Sequence, residues 1–97
     1  MSNELSIQDF APYLHADFHV AMPEGYELKL IDVTDSSGGK LEQFSLIFMS
    51  PVSPWLQQGM YTLTHPQGSK LELFLVPIGP NAEGMRYEVI FSRLTKS

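Results

Sequence analysis

The residue types best suited to chemistry stand together in the stretch HADFH, which runs from His15 to His19. In an extended strand His15, Asp17 and His19 point to one side, and imidazole and carboxylate groups are common ligands of zinc and other divalent metals. Phe18 and Val20 take the alternate positions and must face a core. The three polar residues are therefore explained better as the solvated side of an edge strand than as a metal site. A metal-dependent activity at this triad is therefore the third hypothesis for the chain.

Other catalytic patterns are weaker. The segment SSGGK contains a Gly-Lys pair but lacks the earlier glycine, the following Ser or Thr and the helix of a phosphate-binding loop. Its glycines suit the tip of a β-hairpin. No serine lies in a nucleophile elbow, and the absence of cysteine removes thiolate nucleophiles, disulfides and thiolate zinc sites. We therefore expect neither an enzyme nor a cofactor.

Composition and charge limit the number of domains, the kinds of partner and the cellular location that we expect. The 97 residues have room for one domain, which we place at 1–97. A net charge of -5 without a basic cluster argues against nucleic acids and membranes as partners. The N-terminus lacks a signal peptide, and no apolar stretch approaches the roughly 20 residues of a membrane span. We expect a cytoplasmic protein.

Hydrophobic residues recur with a helical period near the N-terminus and with a period of two in the rest of the chain. In SIQDFAPYL, Ser6 and Asp9 have the spacing of a capping box, and Ile7, Phe10 and Leu14 follow one helical stripe. This pattern predicts one short helix at about 6–14, although proline at position 12 favours a break or a second turn. From position 17 onward the period is two, which predicts six strands at about 17–22, 26–35, 41–49, 59–65, 70–78 and 84–93.

Short turns between these strands predict a mainly all-β fold, an antiparallel six-stranded meander that forms a small barrel or a sandwich. Matching strands across their turns gives two apolar inner faces. The larger face holds Tyr61, Leu63, Leu71, Leu73, Leu75, Met85, Tyr87, Val89 and Phe91, and the other holds Tyr26, Leu28, Leu30, Phe44, Leu46 and Phe48. In the last hairpin, we expect Pro77 to end the ladder and Gly84 to take the left-handed position of the turn.

The outer faces are less polar than a solvated sheet should be. Phe74, Val76 and Ile90 point outward on one sheet, and on the other the same alternation exposes Ile31, Val33, Ile47 and Met49. We expect the N-terminal helix to cover one of these faces, or a partner to do so. The remaining apolar surface favours a protein partner or a homo-oligomer.

The connection SPVSPWLQQG carries the single tryptophan and two prolines. A tryptophan held on a stiff loop is a good anchor for a protein partner, but Trp55 and Leu56 could equally plug one end of a barrel. A barrel mouth near Trp55 also gives the second hypothesis, a site for a small apolar ligand. The bulky aromatic residues assigned to the core argue against it, because they can fill the interior.

Five segments in order, DF, FSLIF, GMYTLTHP, LELFLVPIGP and GMRYEVIF, resemble a bacterial family of short stand-alone proteins, domain of unknown function family 6916. The resemblance covers nearly the whole chain and is strongest from Gly59 onward. It implies no catalytic residues. It does imply an accessory or structural role in a surface appendage or a phage-tail-like particle.

The leading hypothesis is a non-enzymatic small β-domain that acts through protein-protein contact as an accessory or assembly subunit. Its candidate contact residues are Trp55, Leu56, Phe74, Val76 and Ile90.

Overall fold

Alternation of apolar and polar residues produces six strands in the computed structural model. The model describes residues 6–22, 25–50 and 55–94, and positions 93 and 94 are described by their backbone alone. The strands are β1 (Asp17–Val20), β2 (Tyr26–Asp35), β3 (Leu41–Ser50), β4 (Gly59–Thr64), β5 (Lys70–Pro80) and β6 (Met85–Leu94). The predicted fold class is confirmed, because all neighbouring strands are antiparallel and close into a barrel.

The N-terminal segment forms two consecutive 3₁₀ turns, Ile7–Asp9 and Ala11–Tyr13, where one short helix was expected. Pro12 lies in the second turn, as its missing N–H and fixed φ favour. The Asp9 carboxylate accepts the backbone N–H of Ser6 at 2.8 Å, which starts the first turn.

The strand order around the barrel is β1-β2-β3-β6-β5-β4, with β1 pairing with β4 to close it. The predicted meander is therefore wrong at one connection, since β3 lies beside β6 and not beside β4. The ladder between β3 and β6 runs from Leu41 to Ser50 without a bulge and sets apolar residues opposite each other, as in Phe48 opposite Tyr87. This continuous match places β6 beside β3, so β3 and β4 follow each other in the chain without being neighbours in the barrel.

A β-bulge in β2 changes which side chains face the core. Leu30 is opposite Phe48, but Asp32 is opposite Ile47, so one extra residue is inserted at position 31. Val33 therefore turns inward and packs against the core. The prediction that placed Val33 on an outer face was wrong for this reason.

A second bulge lies in β5. The β5-β6 ladder continues beyond Pro77, opposite Tyr87, to Pro80, opposite Met85, with an extra residue between Pro77 and Gly79. Gly79 has φ 111, which a residue with a Cβ rarely adopts. Pro77 does not end the ladder, because the bulge restores the pairing after it.

The turn after β5 is built on Asn81. Its side-chain oxygen accepts the N–H groups of Glu83 at 2.8 Å and Gly84 at 3.0 Å. Gly84 does not adopt a left-handed conformation, contrary to our prediction. Glycine is needed there because a Cβ would overlap the backbone carbonyl oxygen of Ser50. The turn therefore packs directly against the end of β3.

Two buried side chains from outside the strands close the ends of the barrel. Phe10 is fully buried, with its ring centroid 5.7 Å from that of Phe91 and 6.1 Å from that of Phe44. Leu56 joins the same core and is hydrogen bonded at the opposite end. We call Phe10 and Leu56 the two plugs. The expectation that the N-terminal helix covers an outer face is wrong, because the described part of this segment places Phe10 in the core at one end of the barrel.

Candidate interaction surface

The predicted metal triad is not formed along one strand. His15 precedes β1 and has a left-handed φ of 75, and its backbone N–H donates to the carbonyl of Leu30 at 2.6 Å. Asp17 and His19 do share the outer face of β1, where Nδ1 of His19 lies 3.1 Å from a carboxylate oxygen of Glu27. Within residues 6–22, 25–50 and 55–94, no three His, Cys, Asp or Glu side chains are grouped so that they could hold a metal ion.

Three exposed apolar side chains lie on the outside of the neighbouring strands β4, β5 and β6. Met60 is directly opposite Phe74, and Val76 is directly opposite Glu88. The pairing of β5 with β6 begins at Val76 and Glu88, and Ile90 lies two residues beyond Glu88 on the outward-facing side of β6. The exposed fractions are 62% for Met60, 45% for Phe74 and 58% for Ile90. We call these three residues the outer apolar row.

Charged residues border the outer apolar row on both sides along the strands. Lys70 and Glu72 follow Phe74 toward one end of β5, on the same face by alternation. Arg86 and Glu88 precede Ile90 toward the opposite end of the barrel, and Arg86 Nε donates to the carbonyl of Gly79 at 3.4 Å. Each side carries one cation and one anion, so the border has no net charge.

The other predicted contact residues have different environments. Val76 lies next to Phe74 on the outer face but is only partly exposed. Leu56 is buried, with 6% of its surface exposed, and is the plug that the sequence allowed. Trp55 is 48% exposed and so remains on the surface beside it. Residues 51–54 of this connection lie outside the described residues.

A hydroxyl cluster inside the barrel holds the Leu56 plug. The hydroxyl of Tyr87 accepts the backbone N–H of Leu56 at 2.7 Å and lies 2.9 Å from Oγ of Ser50. Burial raises the pKa of the neighbouring Tyr26, and a hydrogen bond from Ser50 opposes that rise. The sequence analysis did not find this cluster, although an inward tyrosine on a central strand signals a buried hydroxyl that needs partners.

His65 holds the segment that carries the Phe10 plug, as the hydroxyl cluster holds Leu56. Its imidazole is buried, Nδ1 accepts the N–H of Gln67 at 3.0 Å, and Nε2 lies 2.7 Å from the carbonyl oxygen of Asp9. The Nε2 proton therefore donates to Asp9, which fixes the tautomer. The ring of Tyr13 packs edge-on at 4.4 Å. This histidine ties the N-terminal segment to the β4-β5 turn and has no free ring nitrogen for a metal.

An open groove of about 680 Å³ lies outside the filled core. Its lining combines acidic, basic, polar and apolar residues, namely Asp17, Gly25, Tyr26, Glu27, Lys29, Met49, Ser50 and Glu83. Trp55 is not among its described lining residues, so the barrel mouth expected near Trp55 is a different place from this groove.

No helix in the described part of the chain has the length and apolar character to span a membrane.

Together these features define a small antiparallel β-barrel with a filled interior, a plug at each end and an apolar row on its outer surface. The chain belongs to the family described as Domain of unknown function (DUF6916), whose model matches residues 5–91. The family resemblance inferred from the sequence is thereby confirmed. No curated protein and no solved structure matches the chain.

Proposed function

We propose that the protein is a non-enzymatic module that acts through protein-protein contact, and that the outer apolar row is its contact surface. The observation that carries this proposal is the exposure of Met60 directly opposite Phe74, together with that of Ile90 on the next strand. Single exposed apolar residues are normal on proteins, whereas contiguous ones with a polar border are typical of interaction sites.

The fold supports this use of the surface. Each of the six described strands has a paired neighbour on both sides, so we expect contact to be made mainly through outward-facing side chains. The described N-terminal turns lie at the barrel end, where Phe10 is buried, and so residues 7–13 do not account for a cover over the row. Side chains in the row point away from the core, so they are free to pack against another protein.

An accessory or assembly role agrees with a contact module of this size. The link to surface-appendage or phage-tail-like proteins, which the family resemblance implied, stays a prediction, and the outer apolar row would be its physical basis.

The small-ligand alternative has less support. Fully buried side chains fill the barrel interior, among them Phe18, Phe48 and Tyr87, and the two plugs close its ends. A small pocket near Phe44 and Phe91 has a volume of about 140 Å³, which is below the usual size of a ligand pocket. We therefore do not place the function inside the barrel.

The test compares Phe74→Lys with Leu14→Lys. Leu14 is also exposed, at 42%, but it adjoins His15, which is bonded to β2, three strands away from β5 around the barrel. A photo-crosslinking residue at position 74 in source cells should capture a defined protein, and one at position 14 should not.

Capture of that protein, by affinity purification with the tagged chain, should be lost with Phe74→Lys and kept with Leu14→Lys. Circular dichroism must show that both variants fold. If the lysine at position 74 leaves capture unchanged, the row is not the contact surface.

A further inference from the structure

We draw no further inference here: the strongest candidate, the open groove lined by residues of β1, β2, β3 and the turn after β5, offers the carboxylates of Asp17, Glu27 and Glu83, but nothing in the described part of the chain shows what would occupy it, because the buried hydroxyl of Ser50 in its wall is already hydrogen bonded to Tyr87 and Glu27 is already paired with His19.

Discussion

Replacing Phe10 with alanine should be among the most damaging single changes to this fold, although the residue lies outside every strand. Its side chain is fully buried at the barrel end, with the ring centroids of Phe91, Phe44 and Phe18 within 6.2 Å. Removing a buried phenylalanine ring costs about 3–5 kcal/mol through lost transfer free energy and the cavity that remains.

Two effects act on that figure in opposite directions. The end of a barrel can partly collapse around the missing ring, which lowers the cost. If the whole N-terminal segment undocks, the bond between His65 and the carbonyl of Asp9 is also lost, which adds about 1 kcal/mol. We therefore expect the free energy of unfolding to fall by about 4 kcal/mol, and the Tm by roughly 15–30 °C for a domain of this size.

Urea unfolding followed by tryptophan fluorescence and by circular dichroism measures this loss. The control is Leu14→Ala on the same segment, which removes a side chain that is 42% exposed and should cost less than about 1 kcal/mol. The slope of the transition should stay nearly constant, so that the midpoint reports stability. If Phe10→Ala costs no more than Leu14→Ala, the segment does not plug the barrel and the account of this end is wrong.

Three further predictions concern the opposite end. Gly84→Ala should destabilise the fold by about 1–3 kcal/mol, because the new Cβ meets the carbonyl that ends β3, whereas Gly38→Ala, with open space around it, should change the Tm little. Tyr87→Phe should cost about 1–3 kcal/mol in urea unfolding, since the N–H of Leu56 loses its acceptor in a buried site; an unchanged midpoint would contradict this. The folded state raises the pKa of Tyr26 above 10.0, so its stabilising contribution is complete below that pH and is lost as the pH rises through the folded pKa. The urea midpoint of wild-type protein should therefore fall more steeply above about pH 10 than that of Tyr26→Phe.

Strand alternation predicted much of this fold because each face of a strand follows directly from local sequence. The inward positions of Leu28, Leu73 and Val89 and the outward positions of Phe74 and Ile90 follow from period two alone. A bulge reverses the alternation of inward and outward positions, and the local residue types do not reveal it. The extra residue at position 31 is apolar like Leu30 before it, and neither is a Gly or Pro that would signal a bulge, so Val33 had the sequence pattern of an outer residue and the geometry of an inner one.

Contacts between distant segments explain the remaining differences. His65 bonds to Asp9 and Tyr87 to Leu56, pairs that no turn connects, so neither end of the barrel could be assembled from local pattern. Met60 was missed for a different reason. The assignment of Tyr61 to an inner face already implied that Met60 points outward, and the hairpin pairing sets it opposite Phe74.

The core and the outer surface of the barrel have separate roles because the two plugs complete the core. Because side chains from outside the strands close the barrel, its interior is completed by the chain itself and needs no ligand to fill it. The residues of the outer apolar row lie on the other side of the same strands, pointing away from the core that the plugs complete. Substitutions in the row and substitutions at the plugs therefore act on groups without shared contacts, and their effects on stability should add. Stability and association are thus separable in this molecule, and for that reason lysine variants in the row can test binding in a protein that remains folded.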